Sequence, residues 1–204
     1  MPDAPTTPAP ARGRPRDPSR DQAILEAALE LTAEVGYDRV SMDALAARAH
    51  VGKPTIYRRW PGGKPEILVE AIRARRTQTF ALPDTGTLRG DLVAVVRARA
   101  ADLRENSELA AGLTSRMRAN AELAEIFREH IVEDERERFR SIVARAADRG
   151  ELASGSVTHL FPDVAPALVY TRLVLLGDPV DDAFVDELVD RVLLPILTNP
   201  PKDR

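Results

Sequence analysis

An all-α chain is what this 204-residue sequence predicts, on three observations. Apolar residues recur at helical spacing through almost all of it, and no stretch alternates in the manner of a half-buried strand. Ser, Gly and Pro punctuate the periodic segments where helices should start and stop. Residues 1–18 stand apart, holding six of the sixteen prolines and almost nothing large and apolar. Such a segment cannot bury enough surface to offset its ordering entropy, so a disordered basic, Pro-rich arm is expected.

The elements then follow in order. A first helix begins at Ser19 as N-cap and runs from about 20 to 35. Its inner face carries Ile24, Ala28, Leu31 and Val35, widened by Leu25 and Leu29, with Glu26, Glu30 and Glu34 on the wet side. Gly36 ends it. Ser41 caps a short helix over 42–49 that turns Leu45, Ala46 and Ala49 inward. His50-Val51-Gly52 connects tightly to a third helix over 53–60, with Pro54 in the first turn, where a missing N–H costs nothing. Pro61-Gly62-Gly63 breaks the chain before a fourth helix, 64–80.

Beyond Pro83-Asp84-Thr85-Gly86, further helices are predicted at about 88–105, 107–118, 121–149, 157–176 and 182–197, about nine in total. The long one carries a stripe of Leu123, Ile126, Phe127, Ile131, Phe139, Ile142, Val143 and Ala146, and Gly150 caps it. Pro162 and Pro166 delay or kink the next. The last two are apolar beyond one narrow stripe, which implies burial on a second side against another subunit. Leu168, Leu175, Phe184, Leu188 and Val192 are the expected contacts of that homodimer.

Composition narrows the function classes. With no cysteine, disulfides, thiol nucleophiles and Cys-based metal sites are excluded. No window approaches the ~18–20 apolar residues of a membrane span. No basic-then-apolar leader opens the chain, so a cytoplasmic protein without a membrane partner is expected. The net charge of −3 hides a split. Residues 1–80 hold 13 Lys and Arg against 10 Asp and Glu, a balance of +3, whereas 81–204 hold 16 against 22, a balance of −6. The first part is the one suited to a polyanion.

Two short helices on a tight turn, the second basic, describe a helix-turn-helix. Ala46, Ala47 and Ala49 allow a close crossing, and Val51 and Ile56 fill the space between the helices. Lys53, Thr55 and Arg58 are then placed to reach base edges in the major groove. Ser41, Tyr57, Arg59 and Lys64 are placed for phosphates, helped by the dipoles and free N–H groups at helix N-termini. In the arm, Arg12, Arg14 and Arg16 of Arg-Gly-Arg-Pro-Arg resemble an AT-hook core suited to an A·T-rich minor groove. A helical hairpin in an ordinary bundle and a solubilising linker are the competing readings of the two segments.

Gly36-Tyr37, Val40-Ser41-Met42-Asp43-Ala44-Leu45-Ala46, Val51-Gly52-Lys53-Pro54-Thr55-Ile56-Tyr57-Arg58-Arg59-Trp60-Pro61, Lys64 and Leu68 together resemble the TetR family of transcriptional regulators. The likeness is to the branch that ends the recognition helix in Tyr-Arg-Arg-Trp-Pro. It covers about residues 20–68 densely. His50 departs from the family's usual turn glycine and Gly52 from its frequent Ser or Thr cap; both substitutes tolerate the geometry. The resemblance implies a homodimer joined through the last two helices and an effector pocket in the C-terminal domain. It also implies repression relieved when a small molecule moves the fourth helix.

The expected organisation is an arm at 1–18, a DNA-binding domain at 19–65 with helix 64–80 as connector, and a regulatory and dimerisation domain at 81–204. Double-stranded operator DNA, a second copy of the chain and a small hydrophobic effector are the expected partners. Met117, Phe127, His130, Phe161, Tyr170 and Arg172 are the candidates for the effector pocket.

Other chemistry finds no support. His50, His130 and His159 lack metal-ligand spacing, Gly62-Gly63-Lys64 lacks the rest of a phosphate loop, and no nucleophile elbow is present. No cofactor or metal and no enzymatic activity are expected. The alternating charges from Glu133 to Arg140 read as a solvated face, and Asp178, Asp181 and Asp182 as a turn and N-cap. The alternative functions are an architectural DNA-binding protein without an effector and a helical protein–protein interaction module.

Overall fold

The computed structural model describes residues 18–79, 81–152 and 160–198, all of its regular structure helical. Arg12, Arg14, Arg16 and His159 lie outside the described residues. The helices are α1 (Pro18–Val35), α2 (Met42–Arg48), α3 (Lys53–Arg59), α4 (Lys64–Thr79), α5 (Leu88–Glu105) and α6 (Ser107–Met117). Three longer ones follow: α7 from Ala121–Phe127 to Glu133–Asp148, α8 opening at Phe161–Tyr170, and α9 opening at Asp182–Leu188 and closing at Leu194–Thr198. A single 3-10 turn, Tyr37–Arg39, links α1 to α2.

Caps do much of the local work. Ser41 Oγ accepts the Ala44 N–H at 3.1 Å, as its position implies. Thr87, Asn120 and Asp181 cap α5, α7 and α9 in the same way. Ser19 does not cap α1, because the helix is already formed at Pro18, whose fixed φ suits a first turn. Val35 is 40% exposed, since α1 overhangs a cleft there instead of the core.

The expected continuous helix 121–149 is interrupted by a π-helical turn, Arg128–Val132. The extra residue shifts the register, which lets the two halves of α7 face different partners. Leu123 and Ile131 join α4 and α6, while Phe139, Ile142, Val143 and Ala146 enter the C-terminal core. Further π turns, Thr171–Leu176 and Val189–Leu193, rotate the ends of α8 and α9.

Three apolar clusters result. Ile24, Ala28, Leu45, Ile56, Trp60 and Ile67 hold α1–α4 together. Leu92, Val96, Phe139, Ile142, Phe161 and Leu193 form the core of the C-terminal helices, with Phe139 and Phe161 edge to face at 5.9 Å. Between them, Tyr37, Leu68, Ile72, Leu113, Leu123 and Ile131 join the first unit to α6 and α7. Helix α4 contributes to the first and third clusters.

The loop before α5 is pinned by Asp91, which is fully buried. Burial alone would raise its carboxyl, but the Thr85 N–H and hydroxyl, at 2.6 and 2.8 Å, and then Arg149 and Arg145 outweigh it and hold it below 3.8. A depressed folded-state value contributes stability above the unfolded value that is lost as pH falls through the folded one. Asp91→Asn should therefore lower stability at pH 7 and make the loss of stability below about pH 4 shallower, read by urea titration at several pH values. Phe139→Ala should cost about 3–5 kcal/mol in the same assay, because the pocket it empties is lined by rigid helix.

Candidate functional site

Helices α2 and α3 form the expected pair. Ala46 and Ala49 sit at the crossing with Ile56 behind them, and Val51 is half-buried. Ala47, expected at the crossing, is exposed, because the turn of α2 that buries Leu45 and Ala46 points it to solvent. His50 adopts φ 52°, the left-handed conformation the turn requires. Gly52 then starts α3 with no side-chain cap, leaving its first N–H groups unclaimed by a side chain.

The exposed rim of α3 carries Lys53, Tyr57 and Arg58, with Thr55 half-buried beside them. Lys53 Nζ pairs with Asp43 Oδ1 at 2.5 Å across the helix pair, which raises its pKa. Exposed pairs of this kind contribute little, because water and salt screen them, so the ammonium exchanges readily for a stronger anion. Ser41 Oγ is at the surface and keeps its own O–H to donate.

Two expected phosphate contacts are turned inward instead. Arg59 folds back to an ion pair with Asp21 on α1 and is largely buried. Lys64 Nζ donates to the Tyr37 carbonyl at 2.9 Å and sits 4.3 Å from the Tyr37 ring centroid. Burial lowers the Lys64 pKa, and burial with the charges of Glu122 and Asp38 pushes the Tyr37 phenol up to about 12. Both cations fasten α3 and α4 to α1 and its following turn. Trp60, buried at the end of α3, donates its indole N–H to Glu70 on α4.

In the C-terminal half, a cavity of about 180 Å³ opens between α4, α5, α6 and α7, with Tyr170 of α8 at its edge. Met117, Phe127 and Tyr170 line it as expected. The other three candidates do not. Phe161 is wholly buried in the core against Phe139, and His130 is exposed on the outside of the π turn. Arg172 lies against the Phe184 ring at 4.5 Å and donates to the Pro179 carbonyl.

The lining is mostly apolar, with one charged edge of Arg75, Arg76, Arg99 and Asp102. Arg76 Nη2 donates to Glu135 Oε2 at 2.6 Å, and Arg99 Nε lies 3.2 Å from Glu135 Oε1. Arg99 Nη1 reaches Asp102 Oδ2 at 3.1 Å, and Arg76 Nε closes the ring at 3.9 Å from the same oxygen. Arg75 joins at 3.7 Å from Asp102. Glu135, read from sequence as part of a solvated face, is 12% exposed in this ring. The network ties the last turns of α4 to α5 and α7.

The expected subunit-facing surface is partly present. Leu168 is 40% and Leu175 68% exposed, with Leu176 beside them at 64%. Phe184 and Val192 are half-buried. Leu188 belongs instead to the chain's own core, where the opening turns of α9 lie on α5.

Among the described residues, no group of His, Cys, Asp and Glu could hold a metal ion, and no helix is long and apolar enough to cross a membrane. Residues 24–71 match the family model of bacterial regulatory proteins of the tetR family, and residues 82–192 that of the tetracyclin repressor-like C-terminal domain. The DNA-binding transcriptional repressor TetR of Mycobacteroides abscessus is 38% identical, over 89% of this chain and 96% of that protein. The HTH-type transcriptional regulator Rv1556 of Mycobacterium tuberculosis is 32% identical, over 91% and 93%. The crystal structure of the TetR family transcription regulator SCO0332 superposes with a TM-score of 0.70 at 27% identity, covering 86% of this chain and 97% of that one. The helix pair, the cavity beneath α4 and these likenesses agree: this chain belongs to the TetR family of bacterial regulatory proteins.

Proposed function

We propose that the chain is a sequence-specific repressor that binds a roughly palindromic DNA operator as a homodimer and is released by a small molecule entering the cavity beneath α4. The observation that carries this reading is α3 itself, a short helix with Lys53, Tyr57 and Arg58 on its open rim and its opposite face locked by Ile56 and Trp60. Such a helix fits a major groove, and a two-fold dimer sets two of them about 34–36 Å apart or a multiple of that. The relative named as a repressor supports the sign of the regulation.

The roles divide as follows. Lys53, Thr55 and Arg58 read base edges, while Ser41 and Tyr57 hold phosphates. Arg59 and Lys64 brace the domain. Arg12, Arg14 and Arg16 enter the neighbouring minor groove. The DNA-binding domain spans 19–65, helix 64–80 connects, and 81–204 regulates and dimerises through the exposed leucines of α8 and the outer face of α9. The setting is the cytoplasm, where the DNA is. A cavity inside the C-terminal half favours a regulator over an architectural protein, which needs none.

Arg58→Ala should weaken operator binding by about 1–3 kcal/mol and relax the preference at one position per half-site, leaving random-sequence affinity nearly intact. Equal loss on operator and random duplexes would refute the base-reading role. Tyr57→Phe should instead weaken both duplexes alike, measured by fluorescence anisotropy across a salt series.

A further inference from the structure

We infer that Asp43 is a specificity-determining residue: together with Lys53 it reads a G·C base pair, the ammonium on guanine and the carboxylate on cytosine. This rests on the reading of α3 as the recognition helix and names the base pair that its first residue selects.

The first observation is where Asp43 stands. It lies in the first turn of α2, two residues after Ser41, and its side chain is 76% exposed. Its Oδ1 is 2.5 Å from Nζ of Lys53, the first residue of α3. A recognition helix meets base edges with its N-terminal residues, so what Lys53 approaches, Asp43 approaches too. An ionised carboxylate is acceptor-only and has lone pairs on both oxygens, so Oδ2 can take a further donor while Oδ1 keeps the ammonium.

The second observation is the match of donors and acceptors. An ammonium has three N–H groups, and one given to Asp43 leaves two. Across the major groove a G·C pair presents N7 and O6 of guanine, both acceptors, and then the N4 amino donor of cytosine. The two free N–H groups of Lys53 meet N7 and O6, and Asp43 Oδ2 accepts from N4. O6 and N4 are hydrogen-bonded to each other, about 2.9 Å apart, close to the spacing of Nζ and Oδ1. An A·T pair presents acceptor, donor, acceptor and methyl, so no two adjacent acceptors meet the ammonium. The same ion pair works against random DNA. When Lys53 turns to a phosphate it leaves Asp43 as an unpaired carboxylate beside the backbone, where like charge repels.

The test is selection of bound duplexes from a random pool by the full-length wild-type, Asp43→Ala, Asp43→Asn and Lys53→Ala proteins. Fluorescence anisotropy on operators that differ at single base pairs then gives the affinities. The wild-type protein should prefer G·C to A·T about tenfold or more at one position per half-site. Asp43→Ala and Lys53→Ala should each cut the preference at that same position to about threefold or less and leave the others in place. With Lys53 free for phosphate, Asp43→Ala should also bind random duplexes about twofold more tightly. Asp43→Asn keeps an acceptor oxygen and should retain part of the preference, and circular dichroism confirms that each variant is folded. A carboxylate that only favours the start of α2 through the helix dipole would, when removed, weaken all duplexes alike with every preference intact. That result would overturn the inference. So would an A·T preference at the position that Lys53→Ala relaxes, or different positions relaxed by Asp43→Ala and Lys53→Ala. Each of these leaves the operator reading standing, whereas no symmetric site for the wild-type protein would overturn both.

Discussion

The ring of charge formed by Arg76, Glu135, Arg99 and Asp102 fastens α4, the helix against which α3 packs through Trp60 and Ile67, to α5 and α7. Moving along α4, its partners change turn by turn. Lys64 is held by the turn after α1, Ile67 by the core of α1–α3, and Leu68 and Ile72 by α6 and α7. Only then do Arg75 and Arg76 reach the ring. A helix gripped at both ends by different bodies is a lever. Apolar contacts alone would let it slide, whereas a largely buried ion pair loses about 3–5 kcal/mol when one partner goes.

The same logic separates the cations of the first domain. Arg58 and Arg59 are neighbours in sequence and opposite in use. One projects from the rim of α3, and the other turns back to Asp21. Lys64 stands at the start of α4, yet its ammonium is spent on the Tyr37 carbonyl and ring. Basic residues near a helix-turn-helix therefore split into those that can meet DNA and those that stiffen the reader. A stiff reader matters because a recognition helix must arrive in the groove already oriented.

The helices and the DNA-binding pair were legible because their signals are local. Ser41 announces its cap, Pro54 its first turn, and the run from Val51 to Pro61 carries a specific family pattern. The ring was not legible. Arg76 and Glu135 are 59 residues apart, and Glu135 sits in an alternating charged run that looks like any wet face. His130, near Phe127, suits either a pocket or a partly exposed position by sequence, and it lies exposed on the π turn of α7. Phe161 and Leu188 are apolar enough for either a core or an interface, and only the packing of α5 decides between them.

The most direct measurement is selection of bound duplexes from a random DNA pool at near-physiological salt, followed by sequencing. The expected outcome is recovery of a two-fold-symmetric site whose half-sites lie one helical turn, or a multiple of it, apart. Enrichment of A·T-rich sequence without symmetry would leave the arm as the only reader. That result, or no enrichment at all, would contradict the placing of α3 in the major groove.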